Sequence, residues 1–373
     1  MNSYFDNAST SFPKPKEVAE AISDYLNNVG GTYGRGATSR ILDSSAIVES
    51  CRDMLADQLG VSDAEKVFFS YGATDAACAL LFGLKLEGKV WVSPLEHNAV
   101  MRPLQSLQDK GQIEICVMPT KEDGAIDIEA FDLIDHSEDA LWVVNYQSNV
   151  NGLIQPIEAL SKIKAEIGLM LDLTQAMGSQ TFQLEDMGID YAFFTGHKGL
   201  LGPTGTGGYY IEKPELITPF RFGGTGSRSE SFEMPEFYPD RLEAGTPNIV
   251  GIVGLEAAMS YKPEPLHSKE DFFVLLDKVK ALPGIKVFAA NDRSFQGEVF
   301  SITSVSMDVA TLSARLYSDF QIETRSGLHC APLAHKTLNT FPQGTVRFST
   351  SPYHTKEDLE RLYEILSSCL NQN

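Results

Sequence analysis

The chain predicts an α/β fold built on a large, mostly parallel sheet, with a second, smaller α+β unit behind it. Three observations carry this. Short apolar runs alternate with helical segments over the first two thirds of the sequence. Those runs lack the polar alternation of half-exposed strands, so both sheet faces are covered by helices. After Pro263 and Pro265 the pattern changes to shorter mixed elements.

Taken in order, Tyr4 to Thr10 reads as a short extended segment and turn, and Pro13 and Pro15 precede an amphipathic helix over Lys16 to Leu26. The loop Val29 to Thr38, with Gly30, Gly31, Gly34 and Gly36 around Tyr33 and Arg35, is too glycine-rich for regular structure; a helix from about Ser44 to Leu59 follows. Strands are predicted at Val67 to Ser70, Val90 to Ser93, Ile113 to Met118, Leu141 to Asn145 and Leu169 to Asp172. Helices lie between them, from the turn at Tyr71-Gly72-Ala73-Thr74 to about Gly83, from His97 to Gln108 and from Ile157 to Ile167. Tyr191 to Phe194 and Tyr209 to Ile211 are buried strands flanking a loop with Gly199, Gly202, Gly205, Gly207 and Gly208. The irregular stretch Pro214 to Pro247 predicts functional loops or an interface. A helix Ile249 to Ser260 closes the large unit. Beyond Pro265 come a helix to about Ala281, strands Lys286 to Ala289 and Glu298 to Thr303, a helix Val309 to Ser318, strands Gln321 to Thr324 and Thr345 to Ser349, and a final helix Thr355 to Leu370. The expected domains are 16–262, and 1–15 together with 263–373.

Composition narrows the class. With 373 residues, 43% hydrophobic and 21% charged, the chain has the make-up of a soluble globular protein. A net charge of −20 argues against nucleic acid or an anionic membrane as partner, since both need a basic surface. No run of 18 apolar residues predicts a membrane span, and the N-terminus lacks a secretion-signal pattern. The five cysteines, Cys51, Cys78, Cys116, Cys330 and Cys369, show no zinc-type spacing, so no metal is expected. They fit a reduced, cytoplasmic compartment.

Ligands of parallel sheets sit at the carboxyl ends of strands, and four strand ends or loops there carry residues with chemical potential. Lys198 follows Thr195-Gly196-His197 at one strand end, inside the glycine-rich loop. A lysine so placed suits a solvated loop, or Schiff-base chemistry with a carbonyl cofactor. Asp172 ends another strand, with Gln175 three residues on; it suits a helix cap, or a partner for a protonated ring nitrogen. The turn at Ala73-Thr74 offers backbone N–H groups and a helix dipole to a phosphate. His97 stands at a further strand end. Together, lysine, carboxylate, phosphate turn and histidine are the parts that pyridoxal 5′-phosphate requires.

The motifs carry a resemblance. Thr195-Gly196-His197-Lys198 with Gly202-Pro203-Thr204-Gly205, Asp172 and Gln175 upstream, and Glu243-Ala244-Gly245-Thr246-Pro247-Asn248 downstream resemble the class V aminotransferase family of fold-type I pyridoxal-phosphate enzymes. Arg325-Ser326-Gly327-Leu328-His329-Cys330-Ala331 is similar to the group II cysteine desulfurase and selenocysteine lyase branch. The resemblance runs from Tyr4 to about Arg347. It implies a seven-stranded-type α/β domain and a smaller domain carrying Cys330. It also implies that Lys198 binds the cofactor aldehyde, Asp172 pairs with the pyridine nitrogen, Gln175 bonds the phenolic oxygen and His97 stacks on the ring. Ala73, Thr74, Thr195 and His197 would hold the phosphate, and Thr246 would reach the phosphate of a neighbouring subunit in a homodimer. Asn149, Arg325 and Arg347 would bind the substrate.

By the same resemblance Cys330 is the nucleophile that takes sulfur from L-cysteine, leaving alanine and an enzyme persulfide for a sulfur-acceptor or Fe–S scaffold protein. His329 and Arg325 are expected to lower its thiol pKa. The other four cysteines are expected to be structural, with Cys78 and Cys369 on helix core faces. Tyr146, the pair Leu173-Thr174, and Leu328 depart from the family pattern, which leaves selenocysteine or a related sulfur amino acid open as substrate. The rival readings are another aminotransferase or C–S lyase, and a non-catalytic sulfur-relay scaffold.

Overall fold

The structure, a computed structural model, describes residues 3–34 and 36–371, so Arg35 of the predicted glycine-rich loop lies outside the described residues. The main sheet holds β1 (Val67–Ser70), β2 (Gly88–Val92), β3 (Ile113–Val117), β4 (Asp139–Asn145), β5 (Gly168–Asp172), β6 (Tyr191–Thr195) and β7 (Gly207–Ile211). Its order is β1-β7-β6-β5-β4-β2-β3, with β7 antiparallel to both neighbours and the β6-β5-β4-β2-β3 pairs parallel. A second, antiparallel sheet has the order β10-β11-β9-β8, formed by β8 (Ile285–Phe288), β9 (Val299–Ser304), β10 (Arg325–Gly327) and β11 (Thr345–Ser349). In chain order the α-helices are α1 (Lys16–Asp24), α2 (Ser39–Leu59), α3 (Ala73–Gly83), α4 (Asn98–Asp109), α5 (Ile128–Asp132), α6 (Ile157–Ile163), α7 (Ile249–Ser260), α8 (Lys269–Lys280), α9 (Val309–Phe320), α10 (Pro332–Thr337) and α11 (Lys356–Asn371).

The apolar runs of the sequence have their cause in this arrangement. Successive residues of β4, β5 and β6 feed opposite cores. Trp142, Val144, Leu169, Leu171, Ala192 and Phe194 pack on one face, against residues of α2 and α7. Leu141, Val143, Met170, Tyr191 and Phe193 pack on the other, against α3 and α4. A third core lies on the small sheet beneath α8, α9 and α11, and Phe5 from the N-terminal segment is fully buried in it. That segment joins the two sheets: Tyr4 and Asp6 bridge to Glu323 and Ser349, while the Ser11 N–H donates to His197 O at 3.0 Å.

Among the boundaries that differ from expectation, three have a clear local cause. Helix α2 begins at Ser39 rather than Ser44, because Thr38 is extended and its carbonyl already accepts from the N–H groups of Ile41 and Leu42. Helix α6 stops at Ile163, two residues before the left-handed Ala165, rather than at Ile167. The predicted strand Gln321 to Thr324 is instead a helix exit. Gln321 adopts a left-handed φ of 57° and closes α9, Glu323 makes an isolated bridge to Tyr4, and pairing with β11 starts at Arg325.

A buried ion pair fixes the irregular stretch to the sheet. Arg52 on α2 is 2% exposed, and its guanidinium grips Glu243 at 2.7 and 3.1 Å, donates to Val67 O at 2.6 Å and lies over the Phe69 ring. The Phe69 N–H donates to the same Glu243 carboxylate at 2.7 Å. Removing one partner strands a buried charge, so Arg52→Ala is expected to cost about 3–5 kcal/mol in chemical unfolding. A loss below about 1 kcal/mol would show that the pair is an ordinary surface bridge.

Candidate active site

The carboxyl ends of β4, β5 and β6 put Asn145, Asp172 and Thr195 in one row, with Asn145 and Asp172 direct register partners. The loop after β6 adds His197 and Lys198, the first turn of α3 adds Thr74, and the loop after β2 adds His97. All of these, with Ser9, Ala73, Cys78, Asn149 and Gln175, line one cavity of about 670 Å³.

Each side chain has a local reason for its pose. Gly72, with φ 141°, turns the chain from β1 into α3, leaving the first N–H groups of the helix at the cavity wall. Gly207 backs this turn; a Cβ there would stand 2.8 Å from the Gly72 Cα and 2.6 Å from Phe194 O, so any side chain would push the turn outward. His97 caps α4, its Nδ1 accepting from the Ala99 N–H at 3.0 Å. Burial, then the nearby Lys198, pushes its pKa down to about 4, so the ring is neutral with its proton on Nε2. Asp172 is 3% exposed and accepts from the Thr174 N–H at 2.8 Å; burial raises its pKa. Gln175 donates to Ala8 O, and His197 Nδ1 lies 3.0 Å from Thr10 Oγ1, so the N-terminal segment backs both. Burial, with Arg347 second, lowers the Lys198 ammonium pKa to about 8.

The loop after β10 is hydrogen-bonded to residues at the edge of this cavity. Cys330 is exposed, while its carbonyl accepts from the Asn98 N–H at 2.8 Å, one residue from His97. The Asn149 side-chain amide donates to His329 O at 2.8 Å. His329 and Cys330 are consecutive left-handed residues, φ 49° and 56°, a backbone state costing about 1–2 kcal/mol each without glycine. These bonds hold the thiol-bearing turn in place. Arg347, 2% exposed, donates to Asn149 O and to Asp6 at 2.6 Å.

Two expectations fail. His329 does not furnish positive charge for the thiol: it is 5% exposed, its Nε2 pairs with Thr345 Oγ1, and burial drives its pKa far down, so the ring is neutral. Arg325 is exposed and donates to Ser9 Oγ. Cys78 is half-buried on the cavity wall rather than in a helix core, whereas Cys369 is fully buried. Thr246 stands apart from the Lys198 cavity. It lines a neighbouring 340 Å³ cavity that shares Tyr71 and Gly205 with the first, and its carbonyl accepts from the Tyr71 hydroxyl.

Sequence reading missed Asp6, Ser9, Asn145 and Glu96. Asn145 was reachable through the strand-end rule. Glu96 is fully buried with Oε1 on Ser93 Oγ, and nothing in its sequence neighbourhood marks it as interior. Among the described residues no group of three His, Cys, Asp or Glu is placed to hold a metal ion, and no helix is long and apolar enough to cross a membrane.

A desolvated lysine, a buried carboxylate and the N-terminus of α3 meet in one cavity at the ends of the sheet strands, the arrangement of an enzyme site. Comparison with known proteins agrees: residues 3–362 match the aminotransferase class-V family, and the chain belongs to that family. A protein named "Probable cysteine desulfurase" from Methanothermobacter thermautotrophicus is 30% identical, covering 97% of this chain and 93% of its own. The cysteine desulfurase of Haloferax volcanii is 29% identical over 98% of this chain and 88% of its own. The apo structure of a cysteine desulfurase from Thermococcus onnurineus superposes with a TM-score of 0.90 at 26% identity, covering 98% of this chain and 94% of that one.

Proposed function

We propose that this chain is a pyridoxal-phosphate-dependent cysteine desulfurase, converting L-cysteine to L-alanine and carrying the sulfur on Cys330. The observation that carries the reading is the hydrogen bonding of the Cys330 turn to Asn98 and Asn149, beside the cavity that holds Lys198 and Asp172. The cavity suits the cofactor in size and chemistry. Asn145 Oδ1 and Asn149 Oδ1 are buried on its wall with no hydrogen-bond partner among the described residues, and the α3 N-terminus faces it. Ala73, Thr74, Thr195 and His197 would hold the phosphate, Asp172 the ring nitrogen, Gln175 the phenolic oxygen and His97 the ring face. When bound, pyridoxal 5′-phosphate supplies an electron sink for charge at the substrate's α-carbon.

This chain's residues do the rest. Arg347 and Asn149 hold the substrate carboxylate, with Arg325 at its rim. The neutral Lys198 amine takes the α-proton and returns it on the carbon side. The Cys330 thiolate forms a bond to the substrate sulfur as the carbon–sulfur bond breaks. The electron pair of that bond stays with carbon, which takes up a proton to become the methyl group of alanine.

We read 16–262 as the cofactor-binding domain and 1–15 with 263–373 as the smaller one; the burial of Phe5 among α8, α9 and α11 supports that division. A homodimer in which Thr246 serves the partner's phosphate fits the open cavity it lines. A cytoplasmic setting with a sulfur-accepting protein completes the reading, in keeping with five unpaired cysteines. The test is incubation with L-cysteine, L-selenocysteine and cysteine sulfinate in turn. Alanine release fastest from L-cysteine supports the reading, and release only from another amino acid sinks it.

The lowered Lys198 pKa gives a pH prediction. Only a neutral amine adds to an aldehyde. With its pKa lowered to about 8, Lys198 holds far more neutral amine at pH 7 than an ordinary lysine, whose value is about 10.4. The rate at which apoprotein takes up pyridoxal 5′-phosphate is expected to rise with pH and level off above about 8. A rise continuing towards the ordinary lysine value of about 10.4 would contradict the buried amine.

A further inference from the structure

Arg325 and Arg347 are direct cross-strand partners on β10 and β11, a pairing of like charges that destabilises a sheet. One oxygen stands between them. Ser9 Oγ accepts from Arg347 Nη2 at 2.7 Å and from Arg325 Nη1 at 3.1 Å, and it donates to Asp6 Oδ1 at 2.7 Å. A hydroxyl has one donor and two acceptor positions, so Ser9 is fully used. Ser9 is also on the wall of the Lys198 cavity, so this junction borders the place where substrate must lie. Arg347 spends its remaining bonds on Asp6 and Asn149 O, and its buried Nε has no partner among the described residues. Arg347 therefore keeps one N–H without a partner while Ser9 and Asp6 fix the end of its guanidinium.

We infer that Ser9 is a positioning residue for substrate: its hydroxyl bridges Arg325 and Arg347 and holds both guanidinium groups towards the substrate carboxylate. The inference rests on the proposed role of Arg347 and extends it to a residue of the N-terminal segment. Without the bridging oxygen the two cations repel, and the exposed Arg325 turns away to water. Ser9 touches no reacting atom in this scheme, so its loss weakens carboxylate binding and leaves chemistry alone.

The experiment uses holoenzyme and reads the affinity for the product L-alanine by calorimetry, beside KM and kcat for L-cysteine. Ser9→Ala is expected to weaken L-alanine binding and raise KM on the order of tenfold, with kcat within about twofold, because hydrogen bonds to charged groups are lost. Ser9→Thr, which keeps the oxygen, is expected to restore both. A purely structural Ser9 would instead lower the melting midpoint and kcat together, with KM unmoved, and that result overturns the inference. Unchanged L-alanine affinity in Ser9→Ala, with affinity lost in Arg347→Ala, overturns the Ser9 role alone. Unchanged affinity in both variants overturns the carboxylate site itself, and the Ser9 role with it.

Discussion

Lys198→Ala abolishes turnover, with kcat falling at least about a thousandfold, and the purified protein loses the long-wavelength absorbance of bound cofactor. The size of the effect follows from two jobs resting on one amine. It binds the cofactor aldehyde, and it moves the α-proton, a step that a positioned base speeds by roughly 10²–10⁴. No nearby group can substitute. His97 has its Nδ1 committed to the Ala99 N–H and His197 its Nδ1 to Thr10, and burial lowers both pKa values to about 4. The measurement is an absorbance spectrum with single-turnover kinetics. Retention of the band and of a tenth of the rate would mean that another amine carries the cofactor.

Cys330→Ala is expected to remove sulfur transfer while leaving the cofactor spectrum and L-alanine affinity at parent levels. The separation is what makes the prediction sharp. Cys330 contributes its backbone carbonyl to the Asn98 bond, which alanine preserves, and its side chain is exposed, so little packing is lost. Only the thiol disappears. Desulfuration is expected to fall by at least about a thousandfold, the range seen when a covalent nucleophile is deleted. Full desulfuration with Cys78 as the new acceptor is the informative alternative, because Cys78 lines the same cavity. A double Cys78→Ala, Cys330→Ala variant separates the two.

Much of this was legible in the sequence because buried parallel strands declare themselves as apolar runs. Lys198, Asp172, Thr195 and His97 were found by asking which polar residues end those runs, and the structure brings them to one cavity. The small sheet was harder. β10 is three residues, Arg325–Gly327, and pairs through its backbone at a sheet edge, so no side-chain periodicity marks it. Burial was hidden as well. His329 reads as a cation beside a thiol until its packing against His335 and Thr345 shows a neutral ring. Cys78 depends on helix phase, and a one-residue error turns a cavity wall into a core face. The two arginines that Ser9 bridges are more than 300 residues away in sequence, which no local pattern reports.

In the proposed reaction sulfur passes from L-cysteine onto Cys330. Intact-mass and peptide analysis of holoenzyme after one turnover with L-cysteine, without reductant, tests it directly. One added sulfur atom is expected on the peptide containing Cys330, matched by one alanine per active site. Alanine formed with free sulfide and no mass added to that peptide would contradict it.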